Sequence, residues 1–348
     1  MRPDPPPVVL APRQLAGYQC GRSLVCCAAP WRATLLPGEL QRIGEQLAAT
    51  DEARLSRAQF EAAVHVQRPP GVLKQPGGDC ALLDRPRAQC TLQAVSGLQG
   101  LPAGCRNFPR SVVRTPDGDE AAFSLACPTA AALVVAQPIA FAWAPASWPA
   151  AAYPPHRTVD DRVTAARGAD WGWREFRALR QAWWQTLATC TTGDQLAATF
   201  AGMMLHPLDP GAIALNDVPW DRLCAPWTQT QVRSVTEGLA RLPDTGPQHS
   251  KRQRERWAAW LMPIDAGAWR DSADRHLALV ASHAGLLLQF AFVHDGLAVG
   301  PAIVRCAHLA AALARIVPTL SDGAQPTRDA LIAAAHLSRG MPGAGALP

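Results

Sequence analysis

Apolar residues recur at Leu36, Leu40, Ile43 and Leu47. Spacings of three to four predict an amphipathic helix within residues 37–65, with Pro37 suited to its first turn. Trp173, Phe176, Leu179, Trp183 and Leu187 form a second stripe at the same period. Helical patterning continues at 194–205, 229–241, 251–261, 270–294, 301–316 and 327–338. Between these regions the period changes. Ser111-Val112-Val113-Arg114 and Ala122-Phe123-Ser124-Leu125 flank Pro116-Asp117-Gly118-Asp119, which predicts a β-hairpin with Asp-Gly supplying the positive-φ turn position. Residues 1–17 are Pro-rich and read as an extended lead-in, and residues 67–79 read as loop. A second Pro-rich stretch, Ala144 to Pro155, reads as a domain boundary. No repeat of fixed period is visible.

Composition narrows the class. The N-terminal Met1-Arg2-Pro3-Asp4-Pro5-Pro6-Pro7 lacks the pattern of a secretory signal. The apolar runs are interrupted, Ala130 to Ala144 by Gln137 and Pro138 and Ala278 to Val293 by His283 and Gln289; a span needs about 20 apolar residues. A cytoplasmic protein without a membrane segment is expected. The net charge of +5 is modest. The basic run Lys251-Arg252-Gln253-Arg254-Glu255-Arg256 contains an acid and has no companion motif, so it reads as a solvated helix face rather than a nucleic-acid footprint.

Seven of the ten cysteines, Cys20, Cys26, Cys27, Cys80, Cys90, Cys105 and Cys127, fall in the first 127 residues. In a reducing compartment such a framework points to a metal or catalytic site rather than to disulfides. Thiolate is a soft, charged donor suited to zinc and to iron–sulfur clusters. The spacing says metal or cluster without choosing between them. Neighbouring side chains diverge, so Cys26 and Cys27 would not both serve one tetrahedral ion. The predicted hairpin returns Cys127 beside Cys105. All seven are candidate metal ligands.

The flanking residues say more than the spacing. Cys20-Gly21-Arg22-Ser23-Leu24-Val25-Cys26-Cys27, ahead of Leu36-Pro37-Gly38-Glu39-Leu40, resembles the opening C-x2-C-x2-C-C motif of the YkgJ-type cysteine-cluster family, which precedes an acidic helix start. Gly78-Asp79-Cys80-Ala81-Leu82-Leu83, Cys90-Thr91-Leu92-Gln93 and Cys105-Arg106-Asn107-Phe108-Pro109-Arg110 resemble its later blocks. Trp31, Leu101 and Leu125-Ala126-Cys127-Pro128-Thr129-Ala130-Ala131 are similar to the flagellin lysine-N-methylase-like branch. The resemblance covers residues 18 to 135. It implies a zinc- or iron-chelating cluster, with iron–sulfur expected in that branch, and methyl transfer from S-adenosylmethionine to lysine of a protein or peptide substrate. Ser23 stands where the short motif has its second cysteine, which leaves one thiolate fewer. Residue patterns give methyl transfer no separate support: neither a Gly-rich strand-to-helix turn nor a C-x3-C-x2-C triplet occurs.

Other residues read more simply. His276, His283, His294 and His308 lack metal-binding spacing and suit core or boundary positions. Cys190, Cys224 and Cys306 read as small buried hydrophobes. Asp160-Asp161 and Asp271 with Asp274 suit helix starts. The group Trp171, Trp173, Trp183 and Trp184 reads as core rather than as a groove. Arg106 and Arg110 would either stabilise thiolate or anionic charge near Cys105 or make surface ion pairs. The expected architecture is mainly α with a small β-hairpin: a Cys-rich metal-binding domain over 1–143 and an α-helical domain over 156–348. Two functions follow, a cluster-dependent lysine N-methyltransferase and a non-catalytic, zinc- or cluster-binding interaction or redox-sensing protein.

Overall fold

A computed structural model describes residues 8–21, 27, 33, 35–50, 54–65, 71–72, 80–125, 127–137, 142–148, 153–164, 170–205 and 215–218, together with 267, 270, 274, 277, 278, 281, 285, 286 and 289. The strands are β1 (Val9–Pro12), β2 (Val64–His65), β3 (Gly71–Val72), β4 (Leu83–Asp84), β5 (Gln89–Cys90), β6 (Arg110–Thr115), β7 (Gly118–Phe123), β8 (Trp143–Pro145), β9 (Arg157–Thr158), β10 (Arg162–Thr164) and β11 (Asp170–Gly172). The helices are α1 (Glu39–Ala48), α2 (Arg57–Ala62), α3 (Thr91–Ser96), α4 (Ala103–Asn107), α5 (Pro128–Ala136), α6 (Trp173–Thr189) and α7 (Gly193–Leu205). The chain forms two compact units. One comprises 1–19, 109–238 and 255–348, the other 20–108 and 239–254.

The first unit is built on a five-stranded mixed sheet in the order β8-β1-β7-β6-β9. This overturns the expected architecture, mainly α with a small β-hairpin in a Cys-rich metal-binding domain. The predicted hairpin is present, paired from Arg110↔Phe123 to Thr115↔Gly118, with Gly118 at φ 126°. It is the middle of the sheet rather than an isolated ribbon. β1 lies parallel to β7 and antiparallel to β8, and β9 lies parallel to β6. Both hairpin strands are buried along most of their length. Alternate residues of a strand face opposite sides, and both sides of β7 are covered. On one face Glu120 meets Arg180 of α6. On the other the Phe123 ring lies 5.5 Å from Tyr18 and 5.6 Å from Trp148.

The Pro-rich stretches belong to this unit. β1 ends in Pro12, and edge strand β8 ends in Pro145, a position where a missing N–H costs no ladder bond. Trp148 and Tyr153, within the segment read as a boundary, are buried. Their rings, with that of Tyr18, enclose the Arg110 guanidinium at 4.4–4.7 Å, and Arg110 Nη2 donates to the Tyr18 carbonyl at 3.2 Å. The apolar stripe of α6 is buried from Trp173 to Leu187. It includes Trp183 and Trp184, so these tryptophans are core. At the start of α7, Asp274 accepts the Gly193 N–H and Asp194 pairs with Arg270. Asp274 thus satisfies a helix N-terminus, though not one in its own segment.

The second unit has a small core of Leu35, Ile43, Leu47, Leu55, Phe60, Val72, Leu82, Leu92 and Leu101. Ile43 and Leu47 are the inward face of α1, as their spacing predicts, whereas Leu36 precedes the helix and is 55% exposed. Ser56 and Gln59 form a reciprocal capping box at the start of α2. Two-stranded ribbons, β2–β3 and β4–β5, complete the unit. Among the described residues, no helix is long and apolar enough to cross a membrane. The helices expected at 229–241, 251–261, 301–316 and 327–338 lie outside the described residues, as do the Lys251–Arg256 run and His276, His283, His294 and His308.

Candidate functional site

The cysteines divide between the units. Cys20, Cys27, Cys80, Cys90 and Cys105 belong to the second, and Cys127 to the first. Cys26, Cys224 and Cys306 lie outside the described residues. None of the seven described cysteines is joined in a disulfide.

Within the second unit, backbone hydrogen bonds make neighbours of three widely spaced cysteines. The Cys80 N–H donates to the Cys27 carbonyl at 2.8 Å. The Cys80 carbonyl in turn accepts the Leu83 N–H at 3.0 Å, and Leu83 pairs with Cys90 across the β4–β5 ribbon. Cys80 and Cys90 are half-buried against the unit's core, next to Leu82 and Leu92. The ribbon closes on Arg85–Ala88, where Ala88 adopts φ 48° and Asp84 holds Arg87 through its side chain at 2.8 Å. Cys90 occupies the position just before α3 in extended backbone, and Cys105 lies exposed in α4.

A thiolate-bound metal needs donors that converge, about 2.3 Å from the ion for zinc. The described side chains do not close such a set: no group of three or more His, Cys, Asp or Glu among the described residues is placed to hold an ion. This is the second finding against the expected Cys-rich metal-binding domain. What the structure does bring together is the backbone around Cys27, Cys80 and Cys90.

Cys127 has different surroundings. It is buried at the position before α5, and its thiol shares a hydrogen bond with the Tyr18 hydroxyl at 3.3 Å. Arg110 is committed to the aromatic box of the first unit, and Arg106 Nη1 reaches Gln99 Oε1 at 3.5 Å. Cys190, just after α6, donates to the Thr186 carbonyl and touches the Thr199 hydroxyl. Burial pushes its thiol up, the Thr199 contact opposing in part.

Two residues outside the expected set matter to the geometry. Glu39 Oε2 accepts the Leu36 N–H and Oε1 the Ala103 N–H, both at 2.8 Å. Arg42 donates to the carbonyls of Gln99 at 3.0 Å and Leu101 at 3.2 Å. In the sequence Glu39 signals only a helix start; nothing local announces its partner 64 residues on.

No protein-family model, curated protein or solved structure matches this chain, so the resemblance to the YkgJ-type family rests on the quoted residues themselves.

Proposed function

We propose that the cysteines of residues 20–108 bind a metal, as zinc or as an iron–sulfur cluster, in a reducing compartment. The observation that supports this reading is the hydrogen-bonded succession Cys27–Cys80–Leu83 with Cys90 paired to Leu83. It makes neighbours of thiol-bearing residues 53 and 10 positions apart (80 − 27 and 90 − 80). Bound metal would supply a rigid cross-link for a small unit whose regular elements are short. In such sites binding free energy is also folding free energy.

Anaerobic purification followed by visible absorption and analysis for iron, zinc and sulfide tests the reading. A brown protein with iron and sulfide identifies a cluster, and a colourless one with zinc the simple ion. Cys80→Ser and Cys90→Ser should then lose the metal. A protein carrying neither iron nor zinc overturns the proposal. Lysine methyl transfer, the activity that the resemblance implies, is tested separately by following labelled methyl from S-adenosylmethionine into a lysine-containing protein. Metal without transfer leaves the non-catalytic reading.

A further inference from the structure

We infer that Cys27 and Cys80 form a redox-active thiol pair, closed to a disulfide by a hydroperoxide and reopened by a dithiol. The inference goes beyond the metal-binding reading and needs no metal. The Cys80 N–H donates to the Cys27 carbonyl at 2.8 Å. Even with that hydrogen bond and the covalent bonds on either side of it drawn out in line, the two Cα atoms lie within about 6.7 Å of each other. A disulfide spans Cα separations of about 4.4–6.8 Å. The backbone spacing it needs is therefore already present. Cys90 is related to Cys80 through Leu83, a two-step link that leaves their separation open. Cys127 and Cys190 belong to the other unit. Cys27 and Cys80 are both partly exposed, within reach of a small oxidant.

The contact closes a loop. The Val72 N–H donates to the Ala33 carbonyl at 2.9 Å, so the chain leaving Cys27 and the chain arriving at Cys80 meet at a second point. Between them lie α1, α2, β2 and β3, which carry Ile43, Leu47, Phe60 and Val72 of the unit's core. A bond between the two sulfurs locks the neck of this loop. In the first step one thiolate attacks the peroxide O–O bond, which breaks; the leaving oxygen takes a proton, as water or an alcohol, and a sulfenic acid forms. The second thiolate then attacks that sulfur, the S–S bond forms, and the sulfenic oxygen leaves as water. Together the two thiols give up two electrons and two protons, and the hydroperoxide is reduced. A dithiol reverses the bond by exchange and becomes a disulfide itself.

The test adds hydrogen peroxide to the reduced, full-length protein, both as purified and after dialysis against EDTA. Remaining thiols are blocked with N-ethylmaleimide, and linked peptides are identified by mass spectrometry. Cys27–Cys80 should be the main disulfide of Cys80 and should return to two thiols with dithiothreitol. Cys90→Ser should keep it, and Cys27→Ser should lose it. In concentrated urea the pairing should move to cysteines close in sequence, such as Cys80 with Cys90, because closing a short loop costs less entropy. That shift marks the linkage as a choice made by the fold, and it is read on the native chain without any variant. Linkage that forms only after EDTA supports the pair and the metal-binding reading together. Native protein in which Cys80 pairs mainly with another cysteine overturns the inference. So does the same set of disulfides with and without urea. Absence of the Cys27–Cys80 linkage from both samples overturns the pair as well, and leaves the metal-binding reading to its own metal analysis.

Discussion

Replacing Arg180 with methionine should cost the sheet-bearing unit about 3–5 kcal/mol, the usual loss when one partner of a buried pair is removed. The side chains of Arg180 and Glu120 are only 4% and 6% exposed. Their pairing is bidentate, Nη1 to Oε2 at 2.7 Å and Nη2 to Oε1 at 2.9 Å. Charges about 4 Å apart at an effective dielectric near 20 attract by about 4 kcal/mol, which agrees with that loss. Methionine keeps apolar contact with the rings of Trp143, Trp173, Phe176 and Trp184, whose centroids lie 5.1–6.0 Å from the guanidinium. The loss is therefore electrostatic. It leaves a buried carboxylate with Gln289 Nε2 at 3.4 Å. Urea denaturation followed by tryptophan fluorescence reads the effect, since three indoles surround the site. Adding Glu120→Leu removes the stranded charge, and the double variant should recover most of the stability. A change below about 1 kcal/mol in the single variant, the level of an exposed pair, would mean that the pair is not a buried anchor of this unit. So would a double variant no more stable than the single.

Asp117 accepts hydrogen bonds from Trp173 Nε1 and Arg177, both at 2.8 Å, and these contacts, that with Trp173 foremost, hold its carboxyl below the ordinary aspartate value. A depressed folded pKa stabilises above the unfolded pKa and is lost as pH falls through the folded one. Melting temperature should thus fall more steeply below about pH 4 in the native protein than in Asp117→Asn; parallel curves would exclude the linkage. The raised Cys190 thiol should alkylate more slowly than exposed Cys20 at neutral pH and gain rate only at higher pH, as a rate–pH profile will show. Equal profiles would contradict its burial. Gly118→Ala has open space for its methyl group, so any loss comes from the positive φ, and about 1–3 kcal/mol is expected in chemical denaturation. A neutral result would mean that the turn relaxes.

How far the sequence announces this molecule depends on the range over which each signal acts. The α6 stripe, the inward face of α1 and the Asp-Gly turn are local, and the structure has all three. The sheet is not local. β1 pairs with β7 across 110 positions (119 − 9), through two Cα-matched residues at a chain start rich in proline. β8 and β9 are two- or three-residue strands on either side of what reads as a linker. Such short, Pro-flanked strands carry no period of their own; the hairpin they join supplies their hydrogen bonds and their burial. Glu120 makes the same point within a strand. An acidic residue between Asp119 and Ala121 looks like the solvent side of a hairpin, yet it is buried because Arg180, 60 positions on, meets it. The cysteines follow this logic. Their spacing and flanks carry a chemical suggestion, but what places Cys27 beside Cys80 is a backbone bond, and the helix that bears Cys105 starts on an N–H held by a carboxylate 64 residues earlier (103 − 39). Donor type can be read along the chain, whereas donor geometry belongs to contacts that only folding creates. Hence the thiols and the groups holding their segments must be perturbed separately: a Cys→Ser change removes a thiol, while Glu39→Ala leaves every thiol in the chain and removes the carboxylate that accepts the Leu36 and Ala103 N–H groups.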